Sequence, residues 1–194
     1  MKKFLKIMIA LSIFVMLTAC AKKSENNNKN KDTENTTTVE AAELQDVGID
    51  KFDFQTLDII DGEMIKSEEF YAEKPLTFIN IWGTFCSPCI EEMPELEKLN
   101  QKYKDKMNFL GVVSDTNATM STNVEEAIQI LDKSGVTYTN IMPNPTMEDT
   151  MNKISVIPTT LIVKSDGTVL GGFVGAMSYE QWDNAVSKVL EENK

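Results

Sequence analysis

Residues 76–89 read LTFINIWGTFCSPC, and this stretch decides the fold. Its first half, Leu76–Trp82, is nearly all apolar, which is typical of a strand buried on both faces of a parallel sheet. Cys86 and Cys89 follow at the expected start of a helix. Because residues three apart on a helix are neighbours, one turn brings the two sulfurs together. The stretch therefore predicts a strand that leads directly into a disulfide which can close and reopen.

The position of the cysteines at a helix start suits nucleophilic chemistry. Free N–H groups and the positive end of the helix dipole lower the pKa of the Cys86 thiol from its ordinary value of about 8.5. Pro88 already has a helical φ and needs no N–H in the first turn, so Ser87-Pro88 fits between the cysteines. We expect Cys86 to be the attacking thiolate and Cys89, one turn deeper, to be the resolving thiol.

Two other interpretations of the cysteine pair are open. A C-x-x-C motif can be half of a zinc site. However, the chain has three cysteines and no histidine, so tetrahedral ligation would require a dimer that shares two pairs. A purely structural disulfide across three residues would remove little entropy from the unfolded chain. The sequence therefore favours a redox-active pair and predicts no metal site.

The first 20 residues, MKKFLKIMIALSIFVMLTAC, read as a sorting signal. Lysines precede an apolar run, Ile7–Leu17, that is shorter than the roughly 20 residues needed to span a bilayer. The run ends in Leu17-Thr18-Ala19-Cys20, which resembles the lipobox of bacterial lipoproteins. This resemblance implies a signal peptide at 1–19 and a lipidated Cys20 that attaches the protein to the cell membrane, outside the cytosol. An uncleaved signal anchor is the alternative.

The segment after Cys20 is too polar to fold by itself. Residues 21–38 read AKKSENNNKNKDTENTTT, and such a stretch cannot offset the entropy cost of ordering by burying apolar surface. We therefore predict a disordered tether at 20–44 and a folded domain at 45–194.

The folded part alternates strands with helices and ends in a hairpin and a helix, which predicts an α/β domain with a central mixed sheet flanked by helices. The expected strands are Phe52–Leu57, Glu63–Ile65, Leu76–Trp82, Met107–Val113, Tyr138–Met142, Thr159–Val163 and Thr168–Val174. The expected helices are Ser67–Phe70, Cys86–Tyr103, Thr122–Lys133 and one that follows a Ser178 cap.

Composition excludes several kinds of chemistry. The formal net charge is −11, so the chain repels phosphate backbones and nucleic acid is not an expected partner. All 19 basic residues are lysines, and histidine is absent. A histidine base and an arginine fork are therefore both missing. There is no G-x-G-x-x-G motif, so we expect no nicotinamide or flavin cofactor.

Two segments together resemble the TlpA/ResA-like lineage of thioredoxins: FINIWGTFCSPC at 78–89 and ISVIPTTLIVKSDG at 154–167. The similarity covers about residues 50–190 and implies a thioredoxin fold with an added N-terminal hairpin and an insertion near 115–145. It also implies that Pro158 is cis and faces the cysteines, although an X–Pro bond taken by itself is more often trans. Four residues would line a client groove: Phe85, Ile157, Gly175 and Ala176. The expected neighbours of the disulfide are Asn80, Trp82, Ser87 and Pro88.

The sequence departs from related proteins at two active-site positions. Many thioredoxins carry a buried acid where this chain has Asn80, and the ResA branch often has Glu where this chain has Ser87. The proton acceptor for Cys89 therefore stays open. Glu91 and Glu92 are near in sequence, but we expect their helical positions to be solvated, and water is an adequate acceptor.

The resulting hypothesis is a reductase of protein disulfides. The resemblance implies a DsbD/CcdA-type membrane electron donor and disulfide-bearing clients such as apocytochrome c, oxidised surface proteins or methionine sulfoxide reductase. A disulfide-forming oxidase is the alternative in the same class. A peroxiredoxin-like peroxidase is disfavoured, because it needs Thr or Ser where Gly83 stands and an arginine. The non-enzymatic alternative is a surface-binding lipoprotein.

Overall fold

The central sheet is formed by the apolar strands that the sequence indicates. The computed structural model describes residues 42–117 and 121–193. In it, five strands lie in the order β5-β4-β3-β6-β7. Strand β3 is central, parallel to β4 and antiparallel to β6, which makes the sheet mixed as predicted. The bounds of the strands are β3 Leu76–Trp82, β4 Asn108–Val113, β5 Thr139–Ile141, β6 Thr159–Lys164 and β7 Val169–Val174.

The longer helices begin and end close to the predicted positions. The α-helices of the described residues, of which the short α4 was not predicted, are α1 Ser67–Tyr71, α2 Ser87–Tyr103, α3 Ser121–Ser134, α4 Glu148–Met151 and α5 Tyr179–Glu192. Helix α5 starts with the predicted capping box, in which Ser178 and Gln181 each accept a hydrogen bond from the other's backbone N–H. None of the helices within residues 42–117 and 121–193 is long and apolar enough to cross a membrane. The predictions for residues 1–41, which include the signal peptide and Cys20, lie outside the described residues.

The N-terminal hairpin is present and covers one edge of the sheet. Strands β1 (Gln55–Leu57) and β2 (Met64–Lys66) pair antiparallel around a turn at Gly62, whose φ is +73°. Beyond β1 the chain runs along β5. Ile59 N–H donates to the Asn140 carbonyl at 2.7 Å, and Met142 N–H donates to the Leu57 carbonyl at 3.1 Å.

The other edge of the sheet is covered by the residues that precede the hairpin. Gln45 and Gly172 of β7 exchange two backbone hydrogen bonds of 2.9 Å each. Lys51 forms a further bridge to Thr168. Ala42 and Leu44 pack against the core, so the packed part of the described chain includes residues just before 45.

The strand expected at Phe52–Leu57 is shorter in the structure. Its alternation is real, because Phe52, Phe54 and Thr56 are buried while Asp53 and Gln55 are exposed. However, Phe52 N–H donates to the Gly167 carbonyl instead of joining the β1–β2 ladder. The pattern therefore predicted the burial correctly and the length of the strand incorrectly.

The core lies on both faces of the sheet because alternate residues of β3 point to opposite sides. Phe78 and Trp82 belong to the cluster that packs against α2 and α5, and this cluster also contains both active-site cysteines. Ile79 and Ile81 belong to the cluster on the opposite face. Each fully buried large side chain of this kind contributes roughly 1.5–3 kcal/mol.

Candidate active site

The two cysteines form a disulfide at the start of α2. Cys86 is the N-cap residue of this helix, and the Cα atoms of Cys86 and Cys89 are 5.3 Å apart. Cys89 N–H donates to Cys86 Sγ at 3.3 Å. In the reduced protein the same N–H would face a Cys86 thiolate, and anions are stabilised at a helix N-terminus.

The two sulfurs differ in exposure. Cys86 keeps 6% of its accessible surface, whereas Cys89 keeps none. The residues between them, Ser87 and Pro88, are exposed. A client can therefore approach from the side of Cys86, which supports the prediction that Cys86 attacks and Cys89 resolves.

The loop that leads into the cysteines is held by a carboxylate from the neighbouring strand end. Asp115, just after β4, accepts a hydrogen bond from Thr84 N–H at 3.0 Å and a second from the Thr84 hydroxyl. Asn123 Nδ2 donates to the backbone carbonyl of Asp115 at 2.8 Å. Thr84 stands two residues before Cys86, so these bonds fix the entry to the helix.

Trp82 is buried in the core cluster that also contains both cysteines, and its ring is held in place by hydrogen bonds. The indole Nε1–H donates to Asn140 Oδ1 at 3.0 Å, and Asn140 Nδ2 donates to the Tyr138 carbonyl at 3.0 Å. Gly111 makes room for this arrangement, since a Cβ at that position would lie 1.8 Å from Asn140 Oδ1.

Glu92 is buried, like Cys89 one turn earlier on α2, and the expectation that it would be solvated is wrong. Only 4% of its surface is exposed, whereas Glu91 is exposed as expected. Burial raises the pKa of the Glu92 carboxyl to about 7. The reason for the error is helical periodicity: the buried residues of α2 are Cys89, Glu92, Met93, Leu96, Leu99, Asn100 and Tyr103, and Glu92 falls on that stripe.

Three donors surround the Glu92 carboxyl. Asn80 Nδ2 donates to Oε1 at 3.3 Å, while Met177 N–H and Trp182 Nε1–H donate to Oε2 at 3.2 and 3.3 Å. These bonds lower the pKa, but less than burial raises it. Asn80 itself is 1% exposed, and its Oδ1 has no hydrogen-bond partner among the described residues.

The sequence left the proton acceptor for Cys89 open, and Glu92 is the buried carboxyl on the same helix that makes a candidate for it. Cys89 and Glu92 lie three residues apart on the buried face of α2. A carboxyl with a pKa near 7 can take a proton from a thiol and return it near neutral pH. Asn80 contributes by donating to this carboxylate and does not take the proton itself.

Of the four residues predicted to line a client groove, the structure brings Phe85 and Ile157 together over Gly83 and bonds Gly175 to Pro158. The Ile157–Pro158 bond is cis, as the resemblance implied, and the Pro158 carbonyl accepts a hydrogen bond from Gly175 N–H at 2.8 Å. Phe85 is 73% exposed, which is unusual for a large aromatic side chain. Phe85 and Ile157 both reach the space over Gly83, where a Cβ would lie 2.9 and 3.2 Å from them. Ala176 is exposed nearby in sequence.

The described part of the site contains a disulfide at a helix N-terminus and a buried carboxyl, which are the groups that disulfide exchange uses. Within residues 42–117 and 121–193, no cluster of three or more His, Cys, Asp or Glu side chains could hold a metal ion. A disulfide at the first turn of a helix, directly after the central strand and on a thioredoxin fold, defines a thiol–disulfide oxidoreductase.

Comparisons with known proteins agree with this class. The Redoxin family model matches residues 50–190, and the chain belongs to this family. It is 27% identical over 137 residues to the thiol-disulfide oxidoreductase ResA of Halalkalibacterium halodurans, covering 70% of this chain and 73% of that protein. It is 28% identical over 129 residues to the thioredoxin-like protein YneN of Bacillus subtilis, covering 66% and 72%.

The fold is also similar to that of solved structures. A thioredoxin-family thiol:disulfide interchange protein from Chlorobium tepidum aligns with a TM-score of 0.61 at 20% identity, covering 78% of this chain and 99% of that one.

Proposed function

We propose that this protein is anchored in the membrane, works outside the cytosol and reduces disulfides of exported proteins. The observation that carries the proposal is the Cys86–Cys89 disulfide beside a buried carboxyl, Glu92, whose pKa is about 7. The two cysteines can exchange electrons with a client, and a carboxyl with this pKa can exchange a proton near neutral pH.

The exchange begins at Cys86. Its thiolate attacks one sulfur of a client disulfide, so that a Cys86–client bond forms while the client's S–S bond breaks and its other sulfur leaves as a thiolate. Cys89 then gives its proton to Glu92 and attacks the Cys86 sulfur, which releases the second client sulfur. The client gains two electrons, its two thiolates take up one proton from Glu92 and one from water, and the Cys86–Cys89 disulfide is restored.

The location outside the cytosol is supported by the N-terminal sequence. A short apolar core that ends in Leu17-Thr18-Ala19-Cys20 suits cleavage before Cys20 and lipidation of its sulfur. Disulfides persist in that compartment, so clients would be available there.

The supply of electrons requires a partner. The chain has no nucleotide-binding motif, so another dithiol protein must reduce the Cys86–Cys89 disulfide. A DsbD/CcdA-type membrane donor fits this need, since it delivers electrons across the membrane. Apocytochrome c and methionine sulfoxide reductase are the proposed clients.

The reduction potential of the Cys86–Cys89 couple tests the direction of the reaction. We expect a value near that of thioredoxin, about −270 mV, because Ser87-Pro88 lacks the histidine of strong oxidases. A value near that of DsbA, about −120 mV, would instead assign a disulfide-forming oxidase.

Membrane fractionation tests the anchor. The wild-type protein should stay with membranes after a high-salt wash, and its mature N-terminus should be a lipid-modified Cys20. The Cys20→Ala variant should lose the lipid. A mature wild-type protein that retains residues 1–19 would contradict the lipoprotein assignment.

A further inference from the structure

A pocket outside the disulfide site lies, like that site, at the carboxyl ends of the parallel strands. It has a volume of about 640 Å³, which is within the usual range for ligand sites. Strands β3, β4 and β5 are parallel, so their carboxyl ends lie on the same side of the sheet. The pocket is lined by residues that follow β4 and β5, among them Thr116 and Met142. Ligands of open α/β sheets bind outside the carboxyl ends of the strands.

The pocket is continuous with the loop that holds the active site. Thr116 lines it, and the preceding residue, Asp115, accepts two hydrogen bonds from Thr84, two residues before Cys86. Strand β5 is two strands away from β3, which is a lateral distance of about 10 Å. An extended chain advances roughly 3.3 Å per residue, so about three or four residues span this distance.

The lining of the pocket selects for apolar side chains. Its surface is mostly apolar and includes Leu57 and three methionines: Met64, Met142 and Met151. Methionine is flexible and polarisable, so a surface rich in it adapts to side chains of different shape. Met64 is 52% exposed at the mouth of the pocket, where an occupant would cover it.

The single charged residue of the described pocket lining indicates which kind of residue would lie beside the apolar side chain of an occupant. Glu148 is the one charged residue among the described residues that line the pocket, and its side chain is exposed. None of the four ion pairs between described residues includes Glu148. An occupant with a lysine or arginine at this point would complement both Glu148 and the net charge of −11.

We propose that this pocket binds the client: it takes an apolar side chain that lies about three or four residues from the client cysteine attacked by Cys86, followed by a basic residue that pairs with Glu148. The inference rests on the proposed function, because it requires a protein or peptide disulfide as substrate. Cys86 supplies the chemistry, and the pocket supplies selection among clients.

Two pairs of matched variants test the proposal in the full-length, detergent-solubilised protein. Met64→Ser removes an apolar group that lines the pocket, and Ile60→Ser is its control, because Ile60 is 59% exposed and does not line it. Glu148→Lys reverses the charge at the pocket. Asp149→Lys is its control, since Asp149 is exposed, adjacent and not part of the lining.

The probe is a synthetic peptide whose single cysteine is disulfide-linked to thionitrobenzoate, with Leu-Lys placed about four residues after the cysteine. A second peptide carries Ser-Glu at the same place. Pre-reduced protein releases coloured thionitrobenzoate, which gives the rate as a function of peptide concentration. The small disulfide dithiobisnitrobenzoate, which has no peptide to occupy the pocket, measures the chemistry alone.

The expected result is a shift in binding without a change in chemistry. The half-saturating concentration of the Leu-Lys peptide should rise about fivefold in Met64→Ser, as expected when about 1 kcal/mol of apolar contact is lost. It should rise about threefold or more in Glu148→Lys, with a smaller effect at high salt. The Ile60→Ser and Asp149→Lys controls should match wild type, and all rates with the small disulfide should be equal.

The outcomes separate the inference from the proposed function. If wild type saturates equally with the Leu-Lys and Ser-Glu peptides, or if each variant behaves like its control, the pocket does not bind clients. If Met64→Ser instead changes only the self-association of the protein, the pocket belongs to a second copy of the chain and the inference is overturned. If wild-type protein is readily reduced by dithiothreitol yet exchanges with no peptide disulfide, it is the proposed function that fails.

Discussion

The two cysteines are one helical turn apart and both belong to the core cluster, yet Cys86 keeps 6% of its accessible surface and Cys89 keeps none. Cys86 lies among exposed residues, Phe85, Ser87 and Pro88. Cys89 lies in the core, on the same buried face of α2 as Glu92. The exposed side of the site is open to clients, and the proposed proton acceptor lies on the buried side. A C-x-x-C motif therefore predicts only the exposed side of the site around Cys86. The buried side around Cys89 and Glu92 is formed by the packing of α2 against the sheet.

The largest expected effect comes from removing one sulfur at a time, which tests whether Cys86 and Cys89 have different roles. In Cys89→Ala the resolving step is gone, so mixed disulfides between Cys86 and clients should accumulate, and turnover should be lost. Cys86→Ala should trap almost nothing, because the buried Cys89 cannot reach a client. Non-reducing electrophoresis of acid-quenched cells checks both variants. Accumulation in Cys86→Ala instead of Cys89→Ala would reverse the two roles.

The second test removes the acid from the buried side. Glu92→Gln should slow the resolving step by roughly 10–100-fold near pH 7, because positioned proton transfer is commonly worth 10²–10⁴ and water replaces part of it. The deficit should shrink as the pH rises, since hydroxide then takes the proton. Stopped-flow measurement of client release over a range of pH checks this. Glu91→Gln, the exposed neighbour, is the control and should behave like wild type.

The third test measures how the burial of the Glu92 carboxyl changes the free energy of unfolding with pH. The pKa of Glu92 is raised in the folded protein from its ordinary value of 4.5 to about 7. Its contribution to stability is therefore fully present below about pH 4.5 and is lost as the pH rises through 7, by up to about 3 kcal/mol. Glu92→Gln removes this titration.

Urea unfolding of oxidised wild type and Glu92→Gln shows whether this holds. The variant should gain stability relative to wild type between pH 4.5 and pH 8, while Glu91→Gln should show no such trend. A constant difference between Glu92→Gln and wild type across this range would mean that Glu92 does not carry a raised pKa.

The smallest expected effect concerns the loop that leads into Cys86. Thr84→Val keeps the shape of the side chain but removes its hydroxyl hydrogen bond to Asp115. We expect a loss of about 1–2 kcal/mol in the free energy of unfolding, because the acceptor is a charged carboxylate. The Thr84 N–H bond to Asp115 remains, so disulfide exchange should change less than twofold. A loss of activity as large as that of Glu92→Gln would show that the loop, and not the acid, limits the reaction.

Most of the fold could be predicted from the sequence, because periodicity reports burial directly. The bounds of β3 agree residue for residue, and the cap of α5 was visible in Ser178 and Gln181. The 3-10 helix Pro145–Met147 and helix α4 were not predicted. They are too short for a periodic pattern, and the Asn144 side chain starts the turn by accepting a hydrogen bond from Thr146 N–H.

The candidate site was predictable only in part. Cys86, Cys89 and Pro158 stand in recognisable motifs, and a signal for Glu92 was present in the stripe of α2. The donors around Glu92 come from β3, α5 and the loop before α5, at Asn80, Trp182 and Met177. Such contacts between distant parts of the chain have no local signature. The groove roles of Phe85, Ile157, Gly175 and Ala176 stay predictions.

The stretch from Gln45 to Ile59 has a consequence for solubility. By pairing with β7 at one end and β5 at the other, it occupies the unpaired backbone groups on both outer strands of the sheet. Open strand edges are templates for pairing with other chains. A chain shortened past Phe52 would expose the edge of β7, and it would then tend to aggregate.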